Sequence, residues 1–160
     1  MHDRKLHYER EIKMKVDFRK AGPEDRENIR ALLAETKLPA ENIDNDVTTF
    51  YVSEDNSGLV GIAGFEFYYG DALLRSVAIR PGLQRQGIGS AIVDRMLDEA
   101  RRKEIRRVIL LTETAKDFFL RKGFNVVDRS EIKNEDLRNS SEFTYACPAS
   151  AVCMVMDMKR

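Results

Sequence analysis

Gln84-Arg85-Gln86-Gly87-Ile88-Gly89-Ser90 is the stretch that decides the fold, because of what stands on either side of it. Before it, Ala72 to Arg80 has the apolar content of a strand, and Pro81-Gly82 ends that strand in a turn. After it, Ile88, Ile92, Met96 and Ala100 recur every four residues with Val93 and Leu97 alongside, which predicts a helix from about Gly87 to Lys103. Two glycines at this spacing let the backbone approach a ligand closely. The N–H groups of the first helical turn and the helix dipole then make a site for a phosphate anion, to which Arg85 could add a charge-assisted hydrogen bond. A Walker loop needs Gly-Lys-Ser/Thr, which is missing, and a dinucleotide fingerprint needs three glycines where two fit. A plain tight turn into a helix stays open as the bland alternative.

Working outward, the pattern predicts a mixed sheet. From Lys15, Val16 and Phe18 alternate with charged residues as a strand would. Gly22-Pro23-Glu24-Asp25 starts a helix, with proline at its first position and acids in its first turn, and Ile29, Leu32 and Leu33 form its apolar stripe. Leu38-Pro39 closes it, and a short second helix or turn is expected over Ala40 to Asp46. Thr48 to Ser53 and Leu59 to Tyr68 read as strands around the turn Asp55-Asn56-Ser57-Gly58, and Gly70-Asp71 leads to the third of three consecutive antiparallel strands. Arg107 to Thr112 is an apolar run bounded by charge, as in a buried parallel strand. Thr114 to Lys122 is a helix stopped by Gly123, and Phe124 to Val127 and Ala151 to Met158 are the last strands, with a polar stretch over Ser130 to Ser141 between them. The expected fold class is α/β (α+β): antiparallel in its first half, with helical crossovers in its second. Residues 1–14 read as an N-terminal extension and 15–160 as one domain.

Composition narrows the function classes. With 27 basic and 27 acidic side chains, nothing in the charge balance points to nucleic acid or an anionic membrane. No apolar run approaches the roughly 20 residues that span a bilayer. The first residues, MHDRKLHYEREIKM, hold no apolar core of a secretory signal. Cys147 and Cys153 are no disulfide framework, and a Cys-x5-Cys pair without histidine is a weak metal site. The expectation is a cytoplasmic domain without a metal, its cysteines packed in the core or lining a substrate pocket.

Val77-Ala78-Ile79-Arg80-Pro81 followed by Gln84-x-x-Gly87-x-Gly89 resembles the acetyl-CoA signature of the GNAT N-acetyltransferase superfamily. Ala115 to Phe124 is similar to the helix of that family that ends in Lys-x-Gly-Phe. The two motifs cover roughly residues 72 to 128 in the right order. Leu110 to Ala115 is similar to a stretch of the acetyltransferase domain of N-acetylglutamate synthases. Leu73-Leu74-Arg75-Ser76, Glu142-Phe143 and Cys147 to Met154 resemble the GNAT subfamily encoded in arsenic-resistance operons.

The resemblance implies acetyl-CoA as co-substrate and a mixed, mostly antiparallel sheet whose central strands splay apart. It places the pyrophosphate on the N–H groups of Gln86, Gly87, Ile88, Gly89 and Ser90, beside Gln84 and Arg85, and the pantetheine arm along Val77, Ala78 and Ile79. An N–H near Val77 would hold the oxyanion. Thr112, on the neighbouring strand, is counted with the donor site. Amine attack needs a general base. Glu66 is the candidate, since it interrupts an apolar strand near the expected cleft; the alternatives are that it faces solvent, or that Asp71 serves. The family's tyrosine that protonates the departing thiolate is replaced by Phe119, which leaves Thr112, Thr114, Tyr145, water or unassisted departure. Arg75 could bind a substrate carboxylate or face solvent, and Arg101 to Arg107 could meet a 3′-phosphate or be a solvated helix end.

The function that follows is acetyl transfer to the amine of a small molecule, an amino acid or an amino-acid-like toxic compound, with a homodimer left open. The alternative is a non-catalytic acetyl-CoA-binding sensor or accessory module. No peptide-binding signature promotes a protein acetyltransferase.

Overall fold

Two-residue links set the first half of the sheet. In a computed structural model, which describes residues 17–40, 43, 47–146 and 149–158, β2 (Thr49–Asp55), β3 (Gly58–Tyr68) and β4 (Asp71–Ile79) are joined only by Asn56-Ser57 and Tyr69-Gly70. Links that short return the chain beside itself, so the three strands are consecutive and antiparallel. β1 (Asp17–Lys20) lies antiparallel on the outer edge of β2, with Phe18 opposite Ser53 and stacked on Tyr51. The extension at 1–14, the strand start at Lys15, most of the turn expected over Ala40 to Asp46, and Cys147 lie outside the described residues.

The second half needs a crossover. α2 (Ile88–Arg102) carries the chain from β4 to β5 (Arg107–Thr112), which pairs parallel with it: Asp71 with Arg107, Ala72 with Val108, Leu73 with Ile109. The register of that ladder is three pairs long, while β4 runs to Ile79 and β5 to Thr112. β7 (Val152–Asp157) runs antiparallel along all of β5, and β6 (Asn125–Val127) lies antiparallel outside it. The order is β1-β2-β3-β4-β5-β7-β6, a seven-stranded, mostly antiparallel sheet with one parallel step.

The chain falls into two compact units, 1–64 with 76–99, and 65–75 with 100–160; β3, β4 and α2 each pass from one to the other. In the first unit, α1 (Arg26–Glu35) follows a 3-10 turn at Pro23–Asp25 and buries Ile29, Leu32 and Leu33 against Phe50, Val52, Ile62 and Ala78. In the second, Leu73, Ile109 and Leu111 pack with Ile132, Leu137, Ala151 and Cys153. The polar stretch over 130–141 supplies part of that core. It forms a 3-10 turn at Arg129–Glu131 and then α4 (Glu135–Arg138), capped by the Asn134 side chain on the Leu137 N–H. A π-helical turn at Glu142–Ala146 follows.

α3 (Lys116–Lys122) ends at the expected glycine. Gly123 sits at φ +105°, and a Cβ there would come within 3.0 Å of Met156 Cε. Gly123→Ala is therefore expected to cost about 1–2 kcal/mol for the left-handed backbone, a fall of roughly 2–8 °C in Tm. Differential scanning calorimetry reads it directly, and an unchanged Tm would show that the α3 end relaxes freely.

Candidate active site

In the first unit the residues expected to hold an acyl donor come together as one run of backbone. β4 takes Val77, Ala78 and Ile79 to its end, and just before them Ser76 has φ +59°. A non-glycine residue in that region inside a strand is a local break in the pleat. The Leu83 N–H donates to the Arg80 carbonyl across Pro81-Gly82, and the Gln84 side-chain amide donates to the Ile79 carbonyl at 3.3 Å. Arg85 (φ +67°) and Gly87 (φ +84°) are both left-handed, and α2 opens at Ile88, with the Ala91 N–H on the Gly87 carbonyl at 3.0 Å. Gln84, Arg85 and Gln86 are exposed, Gly87, Gly89 and Ser90 half-buried, and Ile88 buried. Left-handed residues placed just before a helix turn N–H groups toward one side of the loop, an anion-binding shape that the helix end reinforces. The donor set of backbone N–H groups and the Arg85 guanidinium fits a diphosphate.

The second unit holds Glu66, and it does not face solvent. Its exposure is 1% and that of Arg75 is 3%. Arg75 Nη1 donates to Glu66 Oε2 at 2.7 Å, and the Tyr68 hydroxyl donates to Glu66 Oε1. Arg75 also reaches Glu142 Oε1 at 3.8 Å and Ser141 Oγ at 3.4 Å, both on buried residues at the start of the π-helical turn. The solvent-facing alternatives for Glu66 and Arg75 are thereby removed. The reason lies in Ser141 and Glu142, themselves buried, which meet Arg75 from outside the hairpin. Burial, and then the hydrogen bond to Glu66, raise the Tyr68 phenol above its ordinary range, so that it stays a donor.

The remaining candidates have structural partners. Asp71 takes two hydrogen bonds from Arg107, at 2.7 and 3.1 Å, and one from Asn134. Arg107 is accordingly part of β5 rather than a solvated helix end. Thr112 Oγ1 accepts from the Ala115 N–H at 3.1 Å, shaping the entry to α3. Cys153 is buried in the core, and desolvation pushes its thiol up to about 11, the behaviour of a packed rather than a reactive cysteine. Among the described residues no group of three or more His, Cys, Asp or Glu is placed to hold a metal ion. Sequence reasoning does not single out Tyr68, Ser141 or Glu142 as part of the Glu66 site.

Residues 46–126, which contain the β4 end, the left-handed loop and α2, match the Acetyltransferase (GNAT) domain family. The chain belongs to that family. Over 94 residues it is 38% identical to an amino-acid acetyltransferase of Mycobacterium tuberculosis, a match that takes in 56% of this chain and 53% of that protein. The chain thus spans about half the length of this relative. A structure of Rv2747 from M. tuberculosis in complex with CoA superposes with a TM-score of 0.76 at 26% identity, covering 89% of this chain and 99% of that one. N-acetylglutamate synthase from Neisseria gonorrhoeae, in complex with coenzyme A and N-acetyl-glutamate, shares the fold with a TM-score of 0.76 at 23% identity, covering 91% of this chain and 35% of that one.

Within this GNAT domain the run from Gln84 to Ser90 follows the end of β4 and leads into α2, the setting expected for it from the sequence. Phe119 is the residue that the resemblance sets in place of a proton-donating tyrosine. Its ring is 7% exposed and packs edge-on against Phe118 and Phe124, with centroids 5.0 and 5.4 Å away. It is a core residue with no proton to give.

Proposed function

We propose that the chain is an acetyl-CoA-dependent N-acetyltransferase that acts on the amine of a small molecule, an amino acid or an amino-acid-like toxic compound. The observation that carries this reading is the left-handed Arg85 and Gly87 turn at the mouth of α2 in a GNAT domain. The 38%-identical amino-acid acetyltransferase supports the acceptor class, and Rv2747, in its complex with CoA, supports the donor. The likeness of the tail to the arsenic-operon subfamily adds a toxic analogue to the candidate acceptors, and a cytoplasmic location belongs to the same proposal, with the homodimer left open.

In this reading the N–H groups of Gln86, Gly87, Ile88, Gly89 and Ser90 hold the pyrophosphate, with Gln84 shaping the loop from Ile79 and Arg85 adding charge. Val77, Ala78 and Ile79 offer amides to the pantetheine arm, and an N–H near Val77 holds the oxyanion. Thr112 borders the same donor. The thioester supplies an activated acyl carbon. The amine nitrogen forms a bond to that carbon as the C–S bond breaks, and Glu66 takes the proton from the nitrogen, directly or through one water. The thiolate leaves to water or to a hydroxyl such as Thr112 or Thr114. A thiol near its ordinary pKa of about 8.5 departs without a dedicated acid.

Thiol release from acetyl-CoA across a panel of amino acids and toxic amino-acid analogues tests the proposal. Acceptor-dependent release is expected. Glu66→Gln should turn over more slowly by a factor of roughly 10²–10⁴, the usual share of a general base, at unchanged affinity for acetyl-CoA. Donor binding without release for any acceptor would favour the non-catalytic module, which the buried Phe119 supports. Full turnover in Glu66→Gln would remove Glu66 as the base.

A further inference from the structure

Glu66 has a partner on each carboxylate oxygen, and the two come from different places. Arg75 comes from β4, and the Tyr68 hydroxyl comes from the same strand as Glu66, two residues on. A carboxylate with one partner can swing about its last torsion; one with a donor on each oxygen is fixed in plane as well as in place. Tyr68 is fixed in its turn by groups outside the pair. Its backbone carbonyl accepts from Asn134 Nδ2 at 2.7 Å, and the same amide nitrogen donates to Asp71 Oδ2 at 3.1 Å. The other end of the Asn134 side chain, Oδ1, caps α4 through the Leu137 N–H. The Tyr68 ring packs on the core around Leu73, Ile109 and Leu111. The phenol therefore reaches Glu66 from a strand end that is tied to a helix cap.

We infer that Tyr68 is the positioning residue of Glu66, holding its carboxylate in the orientation that receives the amine proton. The inference rests on the proposed role of Glu66. The charged and titratable groups around the pair are Arg75 on β4, Glu142 on the π-helical turn and Asp136 on α4, with Asp71 and Arg107 beyond Asn134. At the Tyr68 phenol, Arg75 favours ionisation, and Glu66 and Asp136 oppose it. Removal of the phenol hydroxyl takes away one of the two contacts that fix the carboxylate. Glu66 in turn raises the Tyr68 phenol, so a neutral amide at position 66 lets Tyr68 ionise at lower pH.

Two measurements on the whole chain test this. The first follows the ring-carbon NMR signal of Tyr68, assigned by its loss in Tyr68→Phe, through an alkaline titration of the wild type and of Glu66→Gln. Its midpoint is expected to fall in the variant, and an unchanged midpoint overturns the inference, since no coupling then joins the two groups. The second is the steady-state kinetics of Tyr68→Phe with the acceptor found in the panel. Turnover per folded molecule should slow about tenfold, the size of one lost hydrogen bond to a charged group, with KM for acetyl-CoA unchanged. A merely structural tyrosine would alter the amount of folded enzyme and leave kcat per folded molecule where it was, and that result also overturns the inference. Failure of the base role is read separately: Glu66→Gln with the wild-type rate removes that role, and the inference with it. A rate lost in Glu66→Gln but unchanged in Tyr68→Phe removes the inference alone.

Discussion

Arg75→Met is expected to destabilise the protein by about 3–5 kcal/mol, the cost of leaving buried charge without this partner, and to lower Tm by roughly 6–20 °C. Methionine fills much of the space of the arginine stem, so the loss is electrostatic rather than a cavity. What remains is a carboxylate at 1% exposure on Glu66 and another at 5% on Glu142, with the guanidinium that both approach removed. The expected contrast is Arg80→Met. Arg80 pairs with Asp55 at 3.5 Å, but the two side chains are 30% and 49% exposed, and water screens such a pair. Its loss should leave Tm unchanged within error. Adding Glu66→Leu to Arg75→Met should recover part of the stability, because one buried charge then goes with its partner. Chemical denaturation of the three variants reads all of this. A cost below about 1 kcal/mol for Arg75→Met would mean that water reaches the cluster.

The pair also shows where sequence reading stops. Glu66 stands out because an acid interrupts Gly64-Phe65-Glu66-Phe67, and Arg75 because it interrupts Leu73-Leu74-Arg75; each taken alone has solvent as its alternative. A signal that joins them does exist. A two-residue turn at Tyr69-Gly70 sets Tyr68 opposite Asp71 and Glu66 opposite Leu73, which leaves Arg75 on the diagonal from Glu66 on the same face. Opposite charges on one face of a hairpin predict an ion pair. Nothing local says that the pair is buried, because the residues that meet Arg75 from outside the hairpin are Ser141 and Glu142, more than sixty residues on in the sequence. Polar residues that bury themselves on a charge are invisible to hydrophobic patterning.

The elements are more legible than the site. Arg107–Thr112 is a strand to the residue, and most other strands and helices shift by one or two at their ends, within the range where caps and fraying blur any boundary; α1 is shorter by about three at each end, because Pro23–Asp25 forms a 3-10 turn before it and the helix stops at Glu35. Such agreement follows where apolar period and turn chemistry point the same way. The α2 stripe, the two short links and the glycine after α3 each leave one backbone solution. Thr112 is less legible. Its hydroxyl oxygen accepts from the backbone at the entry to α3, a local contact that Thr and Ser favour and that leaves the O–H as a donor.

Gly87→Val is expected to raise the Kd for coenzyme A by about 100-fold or more, equivalent to the roughly 3 kcal/mol held in one or two charge-assisted hydrogen bonds. Gly87 stands at φ +84°, a region that a β-branched side chain avoids most strongly. The variant must either carry that strain or turn the Gly87 peptide to a negative φ, and the second course swings the N–H groups ahead of α2 away from the side on which the phosphates would lie. The Ala91 N–H bond to the Gly87 carbonyl then weakens with the first turn of the helix. Because Gln84, Arg85 and Gln86 are exposed, little core packing depends on the loop, so the effect on Tm should be small beside the effect on binding. Gln86→Ala separates side chain from backbone. Its amide reaches the Gly82 carbonyl at a long 3.5 Å, and its N–H survives the change, so near wild-type affinity is expected. Isothermal titration with coenzyme A decides the matter without any knowledge of the acceptor. Wild-type affinity in Gly87→Val would mean that the donor does not sit on this loop, and the assignment of Gln84 to Ser90 would fall.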